Sequence, residues 1–222
     1  YPGFANYGSV LFYLGETYRK EKKYNDALFY YEQAKAQKTT NKFKIETLFY
    51  IGECHEYLGH FEEAANIYEE ILNNYPDNPY TLGAQIKLGV SYYKAGEYEK
   101  AILELMGPDF QNLPPEKKKE ATLILASSLF HTKEYQKAEE EFAKLVKQEK
   151  DSPIGREAKY GLAWCKFQKE KYDSAYSIFS SLTIGKDSIA IASGFWEAET
   201  QRYMRDEEKS LRLFNDYIGA QP

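Results

Sequence analysis

Residues 48–76 read LFYIGECHEYLGHFEEAANIYEEILNNYP, and their spacing decides the fold. Leu48, Ile51 and Gly52 follow one another at three- and one-residue steps, which share one face of a helix. Leu58-Gly59-His60 interrupts that face. A second run opens at Phe61, carries Ala64 and Tyr68 at helical steps, and meets Pro76 at its end. Two amphipathic helices joined by so short a break must lie antiparallel and side by side.

The register of this stretch recurs along the chain. Ala27, Ala64, Ala101, Ala138 and Ala175 stand 37 residues apart. Three positions before each is an aromatic residue: Tyr24, Phe61, Tyr98, Tyr135 and Tyr172. Four positions after come Tyr31, Tyr68, Leu105, Phe142 and Phe179. Twelve before lies a small residue, Gly15, Gly52, Gly89, Ala126 or Ala163, and each follows an apolar one: Leu14, Ile51, Leu88, Leu125 and Leu162. Such a repeat is the mark of stacked supersecondary units.

Local signals agree with paired helices. Asn78 is placed to cap a helix with Pro79 in its first turn, and Ser152-Pro153 repeats this two periods later. Gly96 suits the left-handed residue that ends a helix. Comparable breaks fall at Lys22-Lys23, Thr132-Lys133 and Lys169-Glu170, and no stretch alternates as a strand would. A sixth pair keeps the first-helix register at Trp196, Thr200 and Tyr203, with Thr200 in the small-residue place. Lys209 and Arg212 then break the pattern, and a turn shortened by two residues brings Ser210, Phe214 and Tyr217 into the second-helix places, as in a polar cap.

The small residues have a physical purpose. A Gly or Ala on the first helix lets the second approach closely, the Ala on the second accepts the same contact, and the aromatic at its start fills the gap to the next pair. One pair cannot cover its own apolar surface, so the pairs must stack. The expected fold is all-α: a right-handed superhelical solenoid of about six antiparallel helix pairs, at residues 5–38, 41–74, 79–108, 115–149, 153–182 and 187–219, forming one array over 1–222.

Composition narrows the function. Lys and Arg number 29 against 34 Asp and Glu, a net charge of −5 without the basic footprint of a nucleic-acid binder, so no nucleic-acid partner is expected. The apolar stretch at residues 121–130 is far short of the roughly 18 residues of a bilayer helix, so no membrane span is expected. Two cysteines, Cys54 and Cys165, stand three periods apart. Stacking steps of about 8–10 Å would separate them by roughly 25–30 Å, beyond the reach of a disulfide. Two free, largely buried thiols are expected. The chain opens Tyr1-Pro2-Gly3, two periods before the equivalent Tyr75-Pro76, and Pro222 holds the matching place in the sixth pair. That suggests a slice of a longer array.

Nothing in the motifs carries catalysis. Cys54, His55 and Glu56 are consecutive and point in different helical directions, so they cannot share a metal. His60 and His131 lack ligand-spaced neighbours, and no metal or other cofactor is expected. The stretch Gly185-Lys186-Asp187-Ser188 lacks the residues of a phosphate loop. Lys117, Lys118 and Lys119 are flanked by Glu116 and Glu120, as on a solvated helix face. Glu53 with Glu56 could be imagined as a hydrolytic pair, but no nucleophile or oxyanion device accompanies them.

With these residues in place, the chain resembles the tetratricopeptide repeat family. Leu48, Ile51, Gly52, Gly59, Phe61, Ala64, Tyr68 and Pro76 match its pattern. The period is 37 rather than the usual 34, and His55 and Lys166 replace an expected aromatic. The longer period and linkers such as Asp151-Ser152-Pro153 look like bacterial cell-envelope members. Those include the lipoprotein subunit of the barrel-assembly machinery and the Tol–Pal-associated periplasmic coordinator. A periplasmic or outer-membrane-associated location is therefore expected over a cytoplasmic one.

The resemblance further implies a concave groove lined by first-helix residues. These are Phe12, Phe49, Tyr57, Tyr93, Phe130, Tyr160, Trp164 and Phe167, with Trp164 as a candidate interface anchor. Lys and Asn are missing from the positions where some members clamp a terminal carboxylate, including Glu16, Glu53 and Trp164, which argues against that subtype. The expected function is a noncatalytic scaffold that binds a protein or peptide partner in this groove, within a larger complex. The alternative is a recruiting or regulatory module of an enzyme whose catalytic domain lies elsewhere in a longer chain.

Overall fold

The computed structural model describes residues 6–37, 40–107, 110, 113–150 and 152–219. Among them are twelve α-helices and no strand. The chain divides into two compact units, residues 1–113 and 114–222. The first contains α1 (Tyr7–Lys20), α2 (Tyr24–Ala36), α3 (Lys44–Leu58), α4 (Phe61–Asn74), α5 (Thr81–Ala95) and α6 (Tyr98–Leu105). The second contains α7 (Pro115–His131), α8 (Tyr135–Gln148), α9 (Pro153–Gln168), α10 (Tyr172–Leu182), α11 (Ser188–Tyr203) and α12 (Glu207–Gly219). Within each unit every helix packs on the one that follows it, and in the second unit α9 also touches α7 and α11.

The repeating residues form the pair cores. All five register alanines, Ala27, Ala64, Ala101, Ala138 and Ala175, have no accessible surface. Gly15, Gly52 and Gly89 lie directly against Tyr31, Tyr68 and Leu105, the residues four beyond those alanines. A Cβ at any of the three would come within 2.6 Å of the facing side chain. Ala126 and Ala163 fill the same place in the second unit, and there Phe142 packs its ring against Gly161 of α9. The aromatic at the start of a second helix joins neighbouring pairs. Tyr24 stacks on Tyr57 of α3 at 4.4 Å, and Tyr172 lies 5.6 Å from Tyr203 of α11.

All six turns within pairs share one geometry. Lys22, Gly59, Gly96, Lys133, Glu170 and Arg205 have φ between 57° and 83°. The residue after each donates its N–H to a carbonyl five back, as Lys23 does to Tyr18 and Asp206 to Gln201, while the left-handed residue itself donates three back. This is a Schellman termination. Glycine serves it at Gly59 and Gly96; four other turns force a side chain into the left-handed region.

One of the two capping expectations is corrected. Asn78 does not cap α5, which begins at Thr81 after Tyr80. Its Oδ1 instead accepts from Tyr80 N at 2.7 Å, while Thr81 Oγ1 donates to Pro76 O, so this side chain organises the turn ahead of the helix. Ser152 does cap α9, accepting from Gly155 N.

The sixth pair is displaced earlier than its sequence suggests. The caps Ser152 and Asp187, the small residues Ala163 and Ala198, and the turn residues Glu170 and Arg205 are each 35 residues apart. The contraction therefore precedes α11 and does not lie in the turn after it. Its cause is α10, which stops at Leu182, three residues short of the point in register where α8 stops. Ala198, fully buried, takes the small-residue place assigned to Thr200. Ser210 does reach the alanine place, where its Oγ donates to Ala198 O at 3.0 Å.

Candidate functional site

The face to be tested is the one carried by the first helices, α1, α3 and α5 in the first unit and α7, α9 and α11 in the second. Two of the eight residues expected to line a groove are core. Phe12 is 5% exposed because Phe43, just before α3, stacks on it at 4.5 Å, with the Tyr50 ring 6.1 Å away. Phe167 is 8% exposed among Trp164, Tyr172, Trp196 and Tyr203. Neither ring is available to a partner.

The other six reach the surface. Tyr57 is 61% exposed, although one side of its ring is taken by Tyr24. Phe49 is half-buried, 5.0 Å from Tyr80 and edge-on to Tyr68. Tyr93 is half-buried beside Tyr98. In the second unit, half-buried Trp164 is the hub of a ring cluster. Its centroid lies 6.4 Å from both Phe130 and Tyr160, and 4.3 Å from Trp196. The expected anchor is thus largely wrapped by its own neighbours, while Phe130, Tyr160 and Trp196 share its partial exposure. Trp196 was not expected in the set; the two-residue displacement of α11 carries it to Trp164.

The first unit adds a ladder of charges to its rings. Glu16 accepts from Arg19 Nε at 2.9 Å and from Tyr31 Oη at 2.6 Å. Arg19 crosses to Glu53 of α3 at 3.5 Å and lies 4.2 Å over the Tyr50 ring. Lys87 of α5 reaches back to α3, 2.6 Å from Glu56 and 3.6 Å from Glu53. Burial pushes the Glu16 carboxyl up, but the Arg19 and Tyr31 hydrogen bonds outweigh it and hold the group below the usual carboxylate range. Burial draws Lys87 down, and the Glu56 and Glu53 charges more than reverse this. Glu53 and Glu56 are therefore ion-pair members joining three first helices, not a free carboxylate pair. Pairwise register comparison could have shown the ladder, because Glu16 and Glu53 share one register while Arg19 and Glu56 share another.

The remaining candidates for chemistry are embedded. Cys54 and Cys165 are free and fully buried, and burial pushes both thiols up to about 12. His55 and His60 lie 5.8 Å apart, and burial draws His55 below the ordinary imidazole range. Among the described residues no group of three or more His, Cys, Asp and Glu is arranged to hold a metal, and no helix is long and apolar enough to cross a membrane.

Antiparallel helix pairs with a recurrent small-residue contact define a helical-repeat protein. Family models described as tetratricopeptide repeat match residues 8–77 in one case, and 51–106 with 125–187 in another. The chain belongs to the tetratricopeptide repeat family, whose repeats generally mediate protein–protein interaction and are generally noncatalytic. No curated protein matches the sequence. Among solved structures, it is similar to a tetratricopeptide repeat protein from Parabacteroides merdae, with 18% identity and a TM-score of 0.75 over 97% of this chain and 80% of that one. It is also similar to MamA from Desulfovibrio magneticus RS-1, at 16% identity and TM-score 0.66, covering 80% and 93%. Tetratricopeptide-like repeats of a Podospora anserina putative kinesin light chain align at 15% identity and TM-score 0.62, covering 81% and 95%. At these identities the likeness is one of fold.

Proposed function

We propose that this chain is a noncatalytic scaffold that binds an extended or helical protein segment along its first-helix face, as one component of a bacterial envelope assembly. The observation that carries the reading is the cluster of Phe130, Tyr160, Trp164 and Trp196, half-buried rings shared by three successive first helices. Aromatic side chains that are held rigid yet leave an edge to solvent lose little entropy on binding and supply much of an interface's energy. The shared period and linker chemistry of envelope members support the compartment, and osmotic-shock fractionation of the host tests it. A cytoplasmic chain would remove the envelope assignment and leave the scaffold reading intact.

The scaffold reading is tested by photo-crosslinking in the host. A photoreactive amino acid at position 160 should capture a defined protein partner, and Phe130→Ala should weaken that capture while the melt stays cooperative. The same probe at Lys144, exposed on α8, should not capture it. Capture from position 144 but not from 160 would move the binding surface off the first helices.

A further inference from the structure

We propose that an open pocket lined by α11, α12 and the α10–α11 linker binds a ligand carrying a protonated amine or guanidinium on an apolar stem, with Glu197 as its counter-ion. The pocket measures about 480 Å³, within the range of small-ligand sites, which run to roughly 300–1,000 Å³. Ile191 and Leu213 supply its apolar wall, and Tyr217 a ring. Its charged lining is Lys186, Glu197 and Asp216, so it bears one net negative charge.

Glu197 is the residue that needs explaining. It is only 9% exposed, it lines the pocket, and none of the described residues gives it a hydrogen bond or an ion pair. Once the 35-residue displacement is counted, it stands where Leu14, Ile51, Leu88, Leu125 and Leu162 stand in the first five pairs. Ile51, Leu88 and Leu125 are buried core at that position, and the sixth pair places a carboxylate there. The Glu197 stem is buried while its carboxylate oxygens stay open to the pocket, so a cation entering there meets them directly. Two half-buried carboxylates of the first and second units do have partners: Glu56 has Lys87, and Glu139 has Lys166 and Lys169. Lys186 lines the same pocket and is exposed, yet does not pair with Glu197. The pocket's location has a local cause as well, because its linker wall at Thr183 and Gly185 stands where the final turn would continue if α10 ran as far as α8. A cation held by Glu197 and the Tyr217 ring, with its stem on Ile191 and Leu213, satisfies each of these features.

The cation could arrive as a free amine or as a lysine side chain of a protein, and the probes separate the two. n-Hexylamine is compared with n-hexanol, and the peptide acetyl-Leu-Lys-Leu-amide with its Nε-acetyl-lysine counterpart, by following backbone amide NMR shifts of the intact 222-residue chain. At least one cationic probe should shift residues of α11, α12 and their linker saturably, with its neutral counterpart at least about tenfold weaker. Binding of hexylamine alone assigns a small amine, and binding of the peptide alone assigns a side chain. Glu197→Gln should lower affinity at least about tenfold, whereas Asp216→Asn, at an exposed position, should change it by less than about threefold. Glu197→Leu restores the residue type of the other five pairs, so it should fold at least as stably and lose the cation. Equal binding of charged and neutral probes, unchanged binding to Glu197→Gln and Glu197→Leu, or no saturable binding by either cation would overturn the assignment.

Discussion

Ala138 has no accessible surface, and the same is true of its four counterparts. A residue in that place is chosen for what it leaves out. Ala138→Leu adds three carbons to a filled site and is expected to cost about 1–3 kcal/mol, read from the midpoint of a urea melt at unchanged slope. An unaltered midpoint would show that the second helix can move away without loss. Burial also governs the thiols. Both cysteines sit with pKa values pushed up to about 12, so little thiolate exists at pH 8. Native protein should therefore resist iodoacetamide at both positions, and mass spectrometry should find two labels only after denaturation.

The elements are set by their ends as much as by their faces. Four of the six turns place Lys22, Lys133, Glu170 or Arg205 in the left-handed region, where a Cβ is disfavoured by about 1–2 kcal/mol. Lys133→Gly should relieve part of that strain and raise stability by up to about 1 kcal/mol, the gain being limited by the larger unfolded-state entropy of glycine. Gly96→Ala should lower it by a similar amount, and paired thermal melts check both. Between α8 and α9, Glu139 lies 2.6 Å from Lys166 and 2.9 Å from Lys169. Burial raises this carboxyl, but the two lysine hydrogen bonds outweigh it and leave it below the ordinary range. A carboxylate lowered on folding adds stability above its unfolded pKa, and the addition fades as pH falls through the folded value. The stability difference between the parent chain and Glu139→Gln should therefore be constant near neutrality and shrink below about pH 4, as denaturant melts across that range would reveal.

At the scale of the whole molecule, each compact unit contains three helix pairs. About three repeats are the least that can bury a continuous core, so each unit has what it needs to fold alone. A fragment covering 114–222 should be helical by circular dichroism and should melt cooperatively. A broad, non-cooperative loss of signal would mean that the second unit depends on the first. The units also divide the work of their first-helix faces. One joins its helices through the Glu16–Arg19–Glu53–Lys87–Glu56 ladder, and the other through rings around Trp164. A partner matched to rings should engage the second unit, and its binding should depend little on salt.

Helix pairing was legible in the sequence because its causes are local and repeated. A small residue opposite an aromatic, twelve positions before a buried alanine, specifies the same contact wherever it occurs, so Gly52 against Tyr68 could be read from spacing alone. Gly59 and Gly96 likewise announced their turns. The four side-chain-bearing turns did not, since Lys22 or Arg205 becomes left-handed through the pull of the helices on either side and not through its own preference. Nor could spacing separate Phe12 and Phe167 from the surface rings, because Phe43 and Trp196 cover them from other elements. The displacement of α11 was visible only as a broken pattern. Tertiary structure decided where the two residues were lost, and with that choice set Ala198 into the core, Trp196 beside Trp164, and the unpaired Glu197 into the pocket of α11 and α12.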